Sequence, residues 1–143
     1  MGREVIVQLP SDLSLLDLAH RLSTEIPQSL GVPEMEAELM GNAVLEAVGN
    51  AMRHGNKESL DLFVTMRFMI EPNTVSVSIH DQGEGFDSSL LVDPTLDENL
   101  LKSNGRGFFL MRAFADSVDV THDKEGGTVV TLTKSFSPAQ RED

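Results

Sequence analysis

From Asn42 to Asn56 the chain reads Asn-Ala-Val-Leu-Glu-Ala-Val-Gly-Asn-Ala-Met-Arg-His-Gly-Asn, and this stretch limits the fold more than any other. On a helix, Glu46, Asn50 and His54 stand at i, i+4 and i+8 and stack along one face. Such a polar stripe normally faces water. Here Leu39, Ala43, Ala47, Ala51 and most remaining positions are small or apolar, which leaves little room for a separate solvated side. A carboxylate, an amide and an imidazole in register on such a helix predict a cleft wall that holds a charged ligand.

The flanking segments supply the layers that would cover this helix. Glu4 to Leu9 alternates apolar and polar before Pro10 and reads as a first strand. Ser11 or Ser14 is placed to cap a helix bearing Leu15, Leu18, Ala19, Leu22 and Ile26, which Pro27 to Pro33 should break. Pro33 suits the first position of the central helix, and Gly55 should end it near residue 54. Asp61–Ile70 and Thr74–Asp81 read as strands joined at Glu71-Pro72-Asn73. The two-residue period puts Val75, Val77, Ile79 and Asp81 on one inward face, where a carboxylate needs a donor.

Residues 82–104 show no periodicity, and a loop of that length in a compact domain is usually functional or mobile. Gly105-Arg106-Gly107 then leads into a short amphipathic helix with Phe108, Leu110, Met111 and Phe114. Val118–Thr121 and Thr128–Thr133 form a hairpin around Glu125-Gly126-Gly127. The order predicts an α+β two-layer sandwich: a mixed, mostly antiparallel sheet with helices packed on one face. One domain is expected over residues 1–136, with a polar tail at 137–143.

The 143 residues suffice for one core without staples, and 40% hydrophobic with 24% charged residues is globular chemistry. A net charge of −12 argues against broad nucleic-acid binding, which needs clustered Lys and Arg, and permits a basic protein partner. With no cysteine there is neither a disulfide framework nor a thiolate metal site. No segment approaches the roughly 20 apolar residues of a membrane span, and the start lacks a signal-peptide pattern. A cytoplasmic location is the expectation. His20, His80 and His122 are scattered and read as surface or strand-end residues, Asn42 as structural, and the methionines as core filler.

Six of the eleven glycines occupy positions 83, 85, 105, 107, 126 and 127. Each pair alone is most simply a turn, although Gly105-Arg106-Gly107 ahead of a helix could present N–H groups to phosphates. Neither a Walker sequence nor a dinucleotide fingerprint is present. Four segments in order carry more weight: Glu46-x3-Asn50-x3-His54-Gly55, Asp81-Gln82-Gly83-Glu84-Gly85-Phe86-Asp87, Asn104-Gly105-Arg106-Gly107 and Gly126-Gly127-Thr128. Together they resemble the N, G1, G2 and threonine boxes of the GHKL ATPases, the superfamily of gyrase, Hsp-type chaperones and histidine kinases. The resemblance covers about residues 34–134. The single-domain length and Gly105–Arg112 look most like the bacterial anti-sigma-factor serine kinases of partner-switching control.

That resemblance implies a Bergerat-type ATP-binding fold, ATP and Mg²⁺ as cofactors, and a role for each matching residue. Asp81 would accept the adenine amino group, Gly83 and Gly85 would let the backbone pass close to the base, and Thr128 would add a hydroxyl near it. Asn50 would give its side-chain oxygen to Mg²⁺. Glu46 would be the general base for an incoming serine hydroxyl. Gly105 and Gly107 would cradle phosphates, with His54 and Arg106 as donors to them. Phosphoryl transfer is mainly positioning and charge stabilisation, so these parts suffice in principle.

Plainer readings stand beside these. Glu46 could be an exposed helix carboxylate, His54 could merely close the helix C-terminus, and Arg106 could pair with a carboxylate. At the level of function, the resemblance implies a serine/threonine protein kinase that phosphorylates an anti-sigma-factor antagonist and sequesters a sigma factor, usually as a homodimer. The alternative is a nucleotide-gated anti-sigma or switch module with little or no kinase activity. A third reading, the catalytic half of a histidine kinase, fits poorly. The chain is expected to be complete at residue 1, and no upstream dimerisation helix with a phosphoacceptor histidine is seen.

Overall fold

The computed structural model describes residues 2–83 and 105–138, with backbone only at 105–109. Strand β1 spans Arg3–Pro10 and is followed by a short 3-10 turn at Leu13–Leu15 and helix α1, Leu16–Ser29. Helix α2, Glu34–Asn50, runs on without a break into a π-helical turn at Ala51–Gly55. Then come β2 (Phe63–Ile70), β3 (Thr74–His80), α3 (Gly105–Phe114), β4 (Ser117–His122) and β5 (Thr128–Ser135). The five strands form one sheet in the order β1-β2-β3-β5-β4, with all four pairings antiparallel. The α+β sandwich read from the pattern is therefore present, with an antiparallel sheet rather than a mixed one.

Alternation in the strands decides which sheet face is covered. Val64, Met66, Phe68 and Ile70 of β2, Val75, Val77 and Ile79 of β3, and Val130 and Leu132 of β5 are buried beneath the helices. The intervening residues, among them Thr65, Arg67, Ser76 and Ser78, stand on the other face and remain partly or fully exposed. Pro10, which cannot donate to a ladder, sits at the end of edge strand β1 opposite Phe63.

Helix α2 lies in the middle of the helical layer, packed against α1, α3 and the sheet. Ala37, Met40, Ala43, Val44, Ala47 and Val48 are each at most 1% exposed, which is why its sequence lacks a wide polar side. At Gly41 an added Cβ would overlap the Thr24 hydroxyl of α1, so the two helices approach closely there.

Local expectations are partly corrected. Asp12, not Ser11 or Ser14, caps the turn that precedes α1: its Oδ1 accepts from Ser14 N at 3.0 Å and from Ser14 Oγ at 2.6 Å. The stop expected within Pro27–Pro33 is present, since α1 ends at Ser29, with Pro27 itself buried inside its last turn. β2 begins at Phe63 rather than Asp61. From residue 84 onward the loop expected at 82–104 lies outside the described residues.

Candidate functional site

The buried carboxylate predicted at the inward end of β3 is present. Asp81 is 1% exposed, one residue past the β3 ladder, and its N–H donates to Thr128 O at 3.1 Å. Its Oδ1 accepts from Thr128 N at 3.1 Å and from Gly83 N at 3.2 Å. Two backbone donors thus fix the carboxylate without a salt bridge to Lys or Arg among the described residues. Burial pushes the Asp81 pKa above its ordinary value, while the Thr128 and Gly83 N–H groups and then His80 and His122 pull it back.

Glycines make the space for this carboxylate. A Cβ at Gly55 would run into the Asp81 carboxyl group, and one at Gly83 would overlap the Gly55 carbonyl oxygen. At Gly127 the backbone has φ +95°, and a Cβ would strike the Asp81 carbonyl oxygen. The end of α2, the start of the loop after β3 and the β4–β5 turn therefore meet backbone to backbone. Gly55→Ala is expected to destabilise the fold by about 1–3 kcal/mol, because the short, doubly bonded Asp81 side chain cannot swing away. Urea denaturation of the variant against the parent reads this directly.

Of the expected polar stripe, Glu46 and Asn50 stand one turn apart on α2, and His54 follows beyond its last α-helical residue. Glu46 is half-buried on the helix, and Asn50, its last α-helical residue, is 6% exposed. The Asn50 Nδ2 has no hydrogen-bond partner among the described residues, a costly state for a buried amide that a polar ligand would relieve. His54 falls in the π-helical turn that follows α2, and it is exposed and partnered. The helix ends at Gly55 as expected.

Thr128, the first residue of β5, is buried beside Asp81, and His122 Nδ1 lies 3.5 Å from its hydroxyl. Gly105, Arg106 and Gly107 open α3 itself instead of forming a loop ahead of it, and only their backbone is described. Gly85 lies outside the described residues. A cleft of about 500 Å³ borders Asp81, lined also by Phe63, His80, Gln82, Asp123 and Gly126. The pattern reading missed Gly55 as a packing partner of Asp81, although its place directly after His54 was the available signal. It also missed that His80 reaches Asp123, with Nε2 and Oδ2 3.3 Å apart, and so ties β3 to the β4–β5 turn.

A buried carboxylate acceptor, close glycine backbones around it and an unsatisfied amide on the neighbouring helix suit a nucleotide base at one end and a metal-bearing polyphosphate at the other. Residues 9–134 match the model of the histidine kinase-like ATPase domain. The chain belongs to this family. As a histidine kinase-like ATPase domain, it also has more specific relatives. It is 36% identical over 95 residues to an anti-sigma F factor from Lysinibacillus sphaericus, covering 65% of each chain. An anti-sigma F factor from Heyndrickxia coagulans is 35% identical over 105 residues, covering 70% of this chain and 71% of that one.

The serine-protein kinase RsbW of Listeria monocytogenes is 26% identical over 149 aligned positions, covering 100% of this chain and 94% of the relative. The fold is also that of a solved structure, the RsbU and RsbW domains of Rv1364c from Mycobacterium tuberculosis. That likeness has a TM-score of 0.63 at 18% identity over 99% of this chain, which spans 35% of the other. This histidine kinase-like ATPase domain therefore has relatives named as anti-sigma factors and others named as serine-protein kinases. Among its described residues no helix is long and apolar enough to cross a membrane.

Proposed function

We propose that this chain is an Mg-ATP-dependent serine/threonine protein kinase that phosphorylates an anti-sigma-factor antagonist and sequesters a sigma factor. The observation that carries the reading is Asp81: a carboxylate buried among glycines and held by two N–H groups, with an acceptor edge suited to an amino-purine. Its position beside α2 supports a nucleotide whose phosphates run toward Asn50 and Glu46. Membership of a family with relatives named as anti-sigma factors and serine-protein kinases supports the choice of partners.

Each residue has a role in this reading. Asp81 accepts from the adenine 6-amino group, and Gly83, Gly85 and Thr128 border the base. Asn50 would hold magnesium through its side-chain oxygen, leaving its buried Nδ2, which has no partner among the described residues, to donate to a phosphate oxygen. A hard cation of this kind needs few protein ligands and would neutralise charge on the transferring phosphoryl group. Gly105, Arg106, Gly107 and His54 serve the phosphates. Glu46, one turn before Asn50, would take the proton of the incoming serine hydroxyl as that oxygen bonds to the terminal phosphorus and the bond from that phosphorus to the β–γ bridging oxygen breaks, releasing ADP.

The reading extends to a single domain over residues 1–136 acting as a homodimer in the cytoplasm, with no direct contact to nucleic acid or membrane. Incubating the chain with labelled ATP, magnesium and candidate antagonist proteins tests it. Label on an antagonist serine supports the kinase; ATP binding with no transfer to any cognate antagonist supports the nucleotide-gated binding module instead.

A further inference from the structure

Asn56, the residue after Gly55, is 1% exposed and uses three of its four side-chain hydrogen-bonding positions. Its Nδ2 donates to Ser11 Oγ at 2.8 Å and to Phe63 O at 3.1 Å, and its Oδ1 accepts from Gln82 N at 2.8 Å. The Phe63 carbonyl demands a donor and the Gln82 N–H demands an acceptor, so the amide has one orientation. Gln82 closes the ring: its Oε1 accepts from Phe63 N at 2.5 Å. Ser11 is anchored separately, donating through Oγ to Leu62 O at 2.8 Å.

The backbone holds Asn56 in place from both sides. Its own N–H donates to Ala51 O at 2.8 Å, five residues back, which completes the π-helical turn. Immediately after it, Lys57 and Glu58 have φ of 52° and 58°, a left-handed pair that non-glycine residues adopt only when their surroundings insist. The N–H of Glu58 donates to Met52 O at 2.7 Å. The turn that strains these two residues is the one that aims the Asn56 amide at Gln82.

Gln82 lies between Asp81, the carboxylate read above as the adenine acceptor, and Gly83, whose N–H holds that carboxylate. We infer that Asn56, acting through Gln82, is a positioning residue for base recognition: it sets the Asp81–Gly83 segment against the end of α2 and so fixes where the carboxylate stands. This inference rests on the reading of Asp81 as the purine acceptor. It differs from a role in stability alone, because a misplaced Asp81 weakens the contact to the 6-amino group and leaves phosphate contacts untouched.

The comparison of ATP with ITP probes that contact, since inosine carries an oxo group where adenine carries the amino group and a proton on the neighbouring N1. Calorimetric titration with each nucleotide and magnesium is made on the full chain, Asn56→Ala, Asn56→Ser, Gln82→Ala and Ser11→Ala. The parent should prefer ATP. Asn56→Ala should lose roughly tenfold of ATP affinity with ITP affinity little changed, so the preference collapses. Gln82→Ala keeps the backbone N–H that Asn56 accepts and loses only the side-chain bond to Phe63 N, so it should keep most of the parental preference, while Asn56→Ser, a smaller polar change, gives the answer where Asn56→Ala fails to fold. Ser11→Ala should lower the melting temperature and keep the parental ratio. A parental preference that survives in a folded Asn56→Ala, or in Asn56→Ser where the alanine variant does not fold, overturns the inference alone. A parent indifferent to the base overturns the reading of Asp81 and this inference with it.

Discussion

Asp81→Asn is expected to weaken ATP binding by about 10- to 100-fold while leaving the unliganded protein at least as stable as the parent. The loss is that of a hydrogen bond to a charged acceptor, roughly 1.5–3 kcal/mol, compounded because an amide would turn N–H donors toward the adenine amino group. The fold should survive, because an asparagine Oδ1 still accepts from Thr128 N and Gly83 N and the shape is unchanged. Stability follows from the direction of the Asp81 shift. Burial raises its folded pKa above the ordinary 3.8, so the folded state holds the proton more tightly than the unfolded chain does. Its favourable contribution is complete below about that ordinary value and is lost as pH rises through the raised one.

At neutral pH the parent therefore carries the cost of a buried charge that the asparagine variant lacks. Thermal melts of the two proteins should favour the variant near pH 7 and converge toward acid. A variant less stable than the parent at neutral pH would show that the Asp81 charge has a stabilising partner.

Glu46→Gln is the second large effect. The substitution keeps the size of a half-buried side chain and removes only its basicity. General-base catalysis of this kind contributes about 10²–10⁴-fold, so phosphoryl transfer to an antagonist serine should fall by that factor. ATP affinity should stay within about twofold, since a group that acts on the attacking hydroxyl has no part in holding the nucleotide. Single-turnover transfer of labelled phosphate, measured beside calorimetric ATP binding, separates the two quantities. Transfer that persists at the parental rate would leave Glu46 a helix carboxylate with no chemical part.

Much of this was legible in the residue pattern, and the reasons differ from place to place. The inward placement of Asp81 follows from strict alternation through Val75, Val77 and Ile79, all of which are buried. The covering of α2 on most sides follows from its lack of a polar face. The π-helical turn at Ala51–Gly55 was not legible, because the interval from Asn50 to His54 fits an α-helix and the wider turn is set by tertiary contacts after Gly55. The helix stop within Pro27–Pro33 was legible, although Pro27 itself is accommodated in the last turn of α1, which ends at Ser29.

The hydrogen-bonded hub of Asn56 escaped for a different reason. Its partners Ser11, Phe63 and Gln82 are 45, 7 and 26 residues away in sequence, and spacing along one element cannot report such contacts. The Gly55–Asp81 contact was hidden likewise: the helix-stop role of Gly55 was visible, while the strand end that packs against it was not. Sequence position singled out the side chains proposed here to carry chemistry, and tertiary closure decided how they are held.

The most direct measurement is a crystal structure of the full chain with magnesium and a non-hydrolysable ATP analogue. The account predicts the adenine 6-amino group on the Asp81 carboxylate, the Asn50 side-chain oxygen on magnesium, and Glu46 facing the terminal phosphate. A nucleotide seated elsewhere, or one bound here with Asp81 and Asn50 both out of contact, would contradict it.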